Sequence, residues 1–228
     1  MSTDATIAVA GEALALCAER AAYWQRRKTL FVADPHFGKA ASFRALGVFV
    51  PGGTTRDALS RLDGLVARVR AERIVFLGDF LHAREGNTVE TFDALERWRA
   101  SHAGVDMQLV RGNHDRRAGD PPARVGIECV NGPVRDGPFA LAHHPVREPD
   151  AYVLAGHLHP CAVLAGMARQ RERLPCFWFG REVGVLPAFG DFTGCAQIDA
   201  EPGDAVWVVA GGASSQVVRV GTGDRGAL

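Results

Sequence analysis

Charge of neither sign predominates in this sequence of 228 residues: 26 Lys and Arg balance 26 Asp and Glu, for a formal net charge of 0. This balance excludes a polycation that binds nucleic acid by bulk charge, although it allows a local basic surface. Long apolar runs are also missing, and no stretch approaches the roughly 20 residues of a membrane-spanning helix. We therefore expect no contact with a membrane.

Cysteine is scarce, and the five residues are widely spaced with no Cys-x-x-Cys pair: Cys17, Cys129, Cys161, Cys176 and Cys195. An odd, scattered set argues against a disulfide framework. The first residues lack the basic segment and apolar stretch of a signal peptide. Together these features predict a cytoplasmic protein.

Apolar residues make up 47% of the chain and charged residues 23%, as in ordinary globular proteins. A chain of this length can bury a large core, and no tract rich in Pro, Gly or Ser divides it. We interpret residues 1–228 as a single domain.

Short apolar runs alternate with segments of helical periodicity. Five runs are too short for helices and end at polar or glycine-rich turns, as strands buried on both faces do. They are Leu30–Ala33, Ile74–Leu77, Gln108–Val110, Phe139–Ala142 and Tyr152–Ala155. Helices are predicted at Thr55–Ala71 and Val89–His102. The candidate caps are Thr54 or Thr55 for the first helix and Asn87 or Thr88 for the second. This pattern, followed by a mostly β C-terminal half, predicts an α/β fold with two packed sheets.

Polar side chains follow all five strands. They are Asp34 and His36, Asp79, Asn113 to Asp115, His143 and His144, and His157 and His159. Ligands bind outside the carboxyl ends of strands in α/β sheets, so we expect these side chains to converge. Glycines precede Asp79, Asn113 and His157, and they allow the backbone to approach a centre closely.

Oxygen and imidazole donors without thiolates suit Mn, Fe or Zn, and the set is large enough for two ions. One natural partition gives Asp34, His36 and His159 to the first ion. Asn113, His143 and His157 hold the second, and Asp79 bridges the two. Such a centre, with a bridging hydroxide, keeps a net charge of about +1, which attracts a phosphodiester monoanion.

The ordered motifs Asp-x-His, Gly-Asp, Gly-Asn-His-Asp, His and Gly-His-x-His, from Asp34 to His159, resemble the signature of the calcineurin-like metallophosphoesterases. The chain also resembles a narrower branch, the ligase-associated DNA damage response endonucleases. That second resemblance covers most of the chain. It depends on the segments Val32–Ala40, Pro51–Thr55, Leu77–His82 and Leu186–Gly194.

The resemblance implies a four-layer αββα sandwich with two packed mixed β-sheets. It also implies a manganese-dependent bacterial endonuclease that cuts single-stranded DNA in repair, in association with a DNA ligase and a helicase. Iron and zinc remain alternatives to manganese, and a homodimer is compatible with the predicted β-rich C-terminal half. The chain departs from many superfamily members at His82, where they have Asp. The adjacent pair His143–His144 leaves the identity of one ligand open, and we favour His143.

Around the metal set, His114 is the candidate proton donor to the leaving oxygen, and Asp115 is the candidate to orient it. Asp115 as a mere helix cap is the alternative. The candidates for holding substrate are His82, Arg84, Arg111 and Arg116, because Arg makes bidentate contacts to phosphate. Other basic residues close to the ligand loops could extend this rim: Lys39, Arg44, Arg117 and Arg147. Ordinary solvated loop residues are the alternative for each.

Several aromatic side chains lie close to the ligand motifs. Phe189 and Phe192, in a loop bounded by glycines, are the better candidates for stacking on unpaired bases. Core packing is the expected role of Phe37, Phe43, Phe49 and Phe80.

The function predicted from these residues is hydrolysis of phosphodiesters by in-line attack of a metal-bridging hydroxide. Single-stranded DNA is the substrate that the resemblance implies. A small-molecule phosphodiesterase or nucleotide pyrophosphatase could use the same site. A non-catalytic interaction module is a further alternative, but the intact Asn113, His114, His157 and His159 argue against it.

Overall fold

The computed structural model describes residues 3–50, 52–165, 171–211 and 215–221. One mixed sheet has seven strands in chain order: β1 (Ala5–Val9), β2 (Glu12–Cys17), β3 (Ala21–Trp24), β4 (Thr29–Val32), β5 (Arg73–Phe76), β6 (Asp106–Val110) and β7 (Glu128–Val130). The strands β1 to β4 pair antiparallel, whereas β4 to β7 pair parallel. The carboxyl ends of β4, β5 and β6 therefore lie at one edge of this sheet.

The remaining strands form a second mixed sheet. They are β8 (Val134–Asp136), β9 (Phe139–Leu141), β10 (Tyr152–Ala155), β11 (Pro160–Ala165), β12 (Arg171–Phe179), β13 (Val183–Val185), β14 (Ala196–Gln197), β15 (Ala205–Ala210) and β16 (Gln216–Val220). The strands β9, β10 and β13 run parallel to each other. The ligand-bearing loops after β9 and β10 therefore also leave from one edge.

Four α-helices are described: α1 (Lys39–Ala45), α2 (Thr54–Val69), α3 (Val89–Ser101) and α4 (Asn113–Ala118). Thr88 caps α3, as predicted, because its hydroxyl accepts a hydrogen bond from the Thr91 amide at 3.2 Å. The predicted threonine cap of α2 is wrong. Gly53 occupies that position, and the Thr55 hydroxyl instead accepts from the Gly38 amide at 3.1 Å, which links α1 to α2.

Two large apolar clusters hold these layers together. One lies between the helices and the first sheet, and Leu62, Leu95 and Phe76 belong to it. The other lies between the sheets, where Phe31 packs near Phe139 with ring centroids 6.3 Å apart. The predicted α/β fold with two packed mixed sheets is confirmed. Among the described residues, all α-helices precede Gly119, and buried residues of α2 and α3 belong to the cluster against the first sheet.

The cysteines differ from expectation at one pair. Cys161 at the start of β11 and Cys195 just before β14 form a disulfide, with their Cα atoms 5.7 Å apart, whereas the other three cysteines are free. Spacing in sequence did not predict this pair because the contact depends on the pairing of β11 with β14. No helix in the described ranges combines the length and the apolar character needed to cross a bilayer.

Candidate metal centre

The loops that follow the strands of both sheets meet at one place. Asp34 follows β4 of the first sheet, and its Oδ2 accepts a hydrogen bond from the amide of His157, after β10 of the second sheet, at 2.9 Å. The imidazole of His143, after β9, contacts the carbonyl of Leu77, after β5, at 3.0 Å. The predicted convergence of strand ends therefore includes both sheets.

The residues of the first predicted ligand set lie together. Donor atoms of Asp34, His36 and His159 lie within 4.8 Å of one another. Nε2 of His36 is 3.4 Å from Nε2 of His159, which in turn is 3.6 Å from Oδ1 of Asp34. These three side chains can hold one cation.

The second predicted set is equally close. Nε2 of His143 lies 2.9 Å from Oδ1 of Asn113 and 3.1 Å from Nδ1 of His157. His143 is buried, whereas its neighbour His144 is exposed and packs against the His157 ring with centroids 4.2 Å apart. The burial of His143 supports its choice over His144, although His144 also lies close enough to contribute a donor.

The carboxylate of Asp79 lies between the two sets. Its Oδ1 is 3.4 Å from Nε2 of His143, and its Oδ2 is 3.9 Å from Nε2 of His36. Each oxygen therefore faces one set, which is the arrangement that a bridging ligand requires.

Backbone strain is concentrated at these residues. Positive φ angles occur at five candidate ligands: Asp34 (50°), His36 (47°), Asp79 (51°), His157 (71°) and His159 (47°). Residues other than Gly rarely adopt this left-handed backbone conformation, and they persist in it only where the surrounding structure enforces it. Such strain is typical of active sites and ligand clamps.

The glycines before the ligands are required by close packing. A Cβ on Gly78 would lie 2.2 Å from Nδ1 of His143, and a Cβ on Gly112 would lie 2.2 Å from Oδ1 of Asp79. A Cβ on Gly156 would meet Oδ2 of Asp34 at 2.6 Å. The predicted close approach of the backbone is therefore confirmed at all three positions.

Backbone carbonyls orient three of the imidazoles. Nδ1–H donates to a carbonyl oxygen in His143 (Leu77, 3.0 Å), in His159 (Gly194, 3.0 Å) and in His114 (His82, 2.6 Å). A carbonyl can only accept, so Nδ1 carries the proton and Nε2 is left facing the centre. Metal-ligating histidines are commonly oriented in this way.

Burial shifts the protonation of the centre. It lowers the pKa of His36 far below its ordinary value, and it lowers the pKa values of His82 and His143 to about 4. These imidazoles are neutral at pH 7, which is the form that binds a metal. Burial acts in the same direction on His159, but the Asp34 carboxylate, 3.6 Å from its Nε2, outweighs burial and raises the pKa of that imidazole.

The donor set fits divalent metal ions. Oδ1 of Asp34 is buried and has no hydrogen-bond partner among the described residues. Burial also raises the pKa of Asp79. Buried carboxylates are costly without a counter-charge, and a divalent cation would provide one for both. Carboxylate, amide and imidazole donors together suit Mn, Fe or Zn.

The predicted partnership of His114 and Asp115 is not observed. The Asp115 carboxylate accepts hydrogen bonds from the amides of Gly112 (2.8 Å) and Leu81 (3.1 Å), while the His114 ring donates to the carbonyl of His82. Asp115 therefore caps α4 and fixes the loop after β5, the structural alternative. Nε2 of His114 lies 3.9 Å from Oδ2 of Asp79, at the centre, where a proton donor is needed.

The four predicted substrate residues differ in their position and in their contacts. His82 lies at the centre, stacked on His114 with ring centroids 5.0 Å apart, and Arg116 is exposed. Arg111 makes a bidentate ion pair with Asp120 at 2.6 and 2.7 Å, so its guanidinium is engaged in this structure, and its contact with phosphate remains a prediction. Arg84 is exposed, and its Nε donates to the carbonyl of Arg117 at 2.8 Å.

Lys39, another of the basic residues predicted near the ligand loops, also lies at the centre. It begins α1, is half-buried, and its charge acts on both Asp34 and Asp79. It follows His36 by three residues, and the first turn of a helix that follows a ligand loop faces the same space.

The comparisons with known proteins identify the family. No family model and no curated protein matches the chain. Among solved structures, the chain is similar to the nuclease MPE of Pseudomonas putida, with 43% sequence identity and a TM-score of 0.82 over 90% of this chain and 96% of that chain. The chain belongs to the calcineurin-like metallophosphoesterase family. This metallophosphoesterase is a hydrolase of phosphodiester bonds.

A more distant likeness is to Yfce, a phosphoesterase from E. coli. The identity is 15% and the TM-score 0.39, over 80% of this chain and 87% of that chain.

Proposed function

We propose that this metallophosphoesterase is a binuclear single-strand DNA endonuclease. The observation that carries the proposal is the position of Asp79, whose two oxygens face two separate sets of donors. The similarity to a Pseudomonas putida nuclease supports nucleic acid as the substrate, and single-stranded DNA is the form that the family resemblance implies. Two divalent ions, when bound, would activate the attacking water and neutralise phosphoryl charge.

The side chains of this chain have distinct tasks in the proposed reaction. Asp34, His36 and His159 would hold one ion, Asn113, His143 and His157 would hold the other, and Asp79 would join them. In its doubly protonated form, with Nδ1–H on the carbonyl of His82, the His114 ring would donate its Nε2 proton to the leaving oxygen and return to the neutral imidazole. His82 stacks on His114 and keeps that ring in place.

Circular single-stranded DNA tests internal cutting directly, because a circle has no ends. Metal-stripped protein is incubated with circles in Mn²⁺, Mg²⁺, Zn²⁺ or no metal. We expect circles to become linear with Mn²⁺ and to persist without metal. Intact circles under all conditions, alongside hydrolysis of bis(4-nitrophenyl) phosphate, would contradict the endonuclease proposal and favour a small-molecule phosphodiesterase or nucleotide pyrophosphatase.

The salt dependence of substrate affinity also distinguishes a DNA endonuclease from a small-molecule phosphodiesterase or nucleotide pyrophosphatase. Affinity for a strand that touches several phosphates falls steeply with salt, with a log–log slope of about −0.7 per phosphate. Affinity for a mononucleotide ester falls much less. Because the net charge is 0, we expect DNA binding to require metal at the centre.

Five further expectations from the sequence remain predictions. They are the role in repair, the association with a DNA ligase and a helicase, the cytoplasmic location, the single domain and the homodimer.

A further inference from the structure

A small cleft opens beside the metal centre, next to His36. Three separate segments form its walls: the start of α1, the start of α2 and the loop after β13. The lining residues that concern us are Lys39, Phe43, Thr54, Thr55, Asp191 and Phe192. The cleft therefore combines aromatic, hydroxyl and cationic groups within reach of the reaction.

Phe192 is held in an unusual state for a large apolar residue. Its side chain is 60% exposed, and its φ angle is +57°. A bulky residue rarely adopts this conformation, and strain of this kind clusters at ligand clamps. Phe189, the other stacking candidate in this loop, is fully buried, so the prediction was wrong for that residue.

The loop that carries Phe192 is anchored to the metal centre. The amide of Gly190 donates to the carbonyl of Asp34 at 3.1 Å. Asp191 forms ion pairs with both Arg20 and Arg61. The exposed ring is therefore presented by a fixed loop, and a ligand that stacks on it loses little to ordering of the protein.

Lys39, which also lines the cleft, provides positive charge there. Its Nζ lies 5.9 Å from the centroid of the Phe43 ring. It makes no ion pair with any of the residues that the structure describes, whereas the other lysine, Lys28, pairs with Glu72. An unpaired, half-buried ammonium beside a phosphoesterase centre is suited to a phosphate oxygen.

We propose that the surface at the mouth of this cleft, where Phe192 is exposed, is the subsite for the nucleotide next to the scissile phosphodiester. The base stacks on Phe192, and Lys39 contacts the adjoining phosphate. Stacking tolerates every base, so the subsite selects nucleic acid over other phosphodiesters without reading sequence. The inference rests on the proposed function, which it deepens.

The test compares two substrates of equal length and charge, oligo(dT) and a fully abasic oligomer, in Mn²⁺. We expect the parent protein to have a higher kcat/KM on oligo(dT) than on the abasic oligomer. Phe192→Ala should lower the ratio of the first value to the second by about 5- to 100-fold. Phe192→Trp should restore the ratio. Phe49→Ala is the matched control, because Phe49 is 94% exposed but does not line the cleft, and it should keep the parental ratio.

Salt dependence of binding tests the second contact. Lys39→Gln should reduce the log–log slope for oligo(dT) by about 0.7, which is the loss of one phosphate contact. Lys28→Gln is the control and should keep the slope, since that ammonium already has a carboxylate partner. An unchanged slope in Lys39→Gln would overturn the phosphate contact.

Other results would overturn the stacking proposal. A parental ratio near 1, an unchanged ratio in Phe192→Ala, or an equal loss on both substrates would each show that no base is recognised there. A loss confined to Phe49→Ala would place the base elsewhere. Failure of the parent to cut either oligomer while it hydrolyses bis(4-nitrophenyl) phosphate would contradict the proposed function itself, and the subsite with it.

Discussion

At the scale of single residues, the centre depends on geometry that is costly to maintain. Five candidate ligands have positive φ, and three glycines leave no space for a Cβ. Burial keeps imidazoles such as His143 neutral, and backbone carbonyls fix which nitrogen faces inward. These features favour the binding of a cation, at the expense of the stability of the metal-free protein.

His114→Ala should separate chemistry from metal binding. The variant lacks the proposed proton donor but keeps every proposed ligand, so we expect kcat to fall about 10²- to 10⁴-fold with metal content unchanged. His102→Ala is the control, because His102 lies at the end of α3 and contacts Asp63 instead of the centre. Unchanged turnover in His114→Ala would exclude the acid role.

Gly112→Ala should damage the centre through packing alone. The added Cβ would lie 2.2 Å from Oδ1 of Asp79, so the carboxylate must move. We expect metal affinity to fall about 10-fold or more, measured by Mn²⁺ titration of the stripped protein. Gly104→Ala is the control, since no atom lies within 4 Å of its added Cβ. Equal affinities in the two variants would contradict this packing argument.

The sequence predicted which residues meet but not every contact they make. The positions of Asp34 and Asp79 at strand ends were enough to place them together. The hydrogen bond of the Asp115 carboxylate to Leu81 and the ion pair of Arg111 with Asp120 were not predicted, because they are set by loop conformation, which residue patterns do not encode.

At the scale of elements, the five strands that precede the ligand motifs and the two long helices follow from the sequence. The observed β10 has the predicted bounds, and α2 and α3 lie within about two residues of prediction. The helices α1 and α4 were not predicted, because each is short and begins within a ligand motif that reads as a loop. Their boundaries depend on contacts such as the one between Gly38 and Thr55.

Gly64 offers a test at this scale. It lies inside α2, and no atom lies within 4 Å of an added Cβ. Gly64→Ala should raise the free energy of unfolding by about 0.5–1 kcal/mol, because Ala loses less backbone entropy in a helix. Denaturant titration in the presence of EDTA measures this change without interference from metal. A destabilised variant would mean that the outer face of α2 is not free.

At the scale of the whole molecule, the two sheets have to pack correctly before the centre exists. Asp34, Asp79 and Asn113 come from the first sheet, and His143 and His157 from the second. Sheet-to-sheet packing is a property of the complete fold, so the residue pattern predicted that these loops converge but not the contacts between the two sheets, such as that of the His157 amide with Asp34. The disulfide between Cys161 and Cys195 was missed for the same reason.

The change in the free energy of unfolding at acid pH should report the ion pairs that Asp191 makes with Arg20 and Arg61, which are distant in sequence. Burial alone would raise the pKa of Asp191, but Arg61 and Arg20 outweigh it and hold that pKa below its ordinary value. The resulting stability is present above the unfolded pKa of about 3.9 and is lost as the pH falls through the lower folded value. Asp191→Asn should therefore cost about 1 kcal/mol at pH 7, after allowance for solvent screening.

The difference between parent and Asp191→Asn should shrink below about pH 4. Chemical unfolding in EDTA at a series of pH values measures it. Glu90→Gln is the matched control, because the Arg56–Glu90 pair is more than 60% exposed on both sides, so its removal should have little effect at any pH. A difference for Asp191→Asn that grows on acidification would contradict the sign of this pKa shift.

The central claim is that two divalent ions occupy one centre joined by Asp79. Native mass spectrometry of stripped protein reloaded with Mn²⁺ measures this directly. The account predicts two ions per chain, with at most one retained by Asp79→Ala. One ion or none in the parent, or two ions that persist in Asp79→Ala, would contradict it.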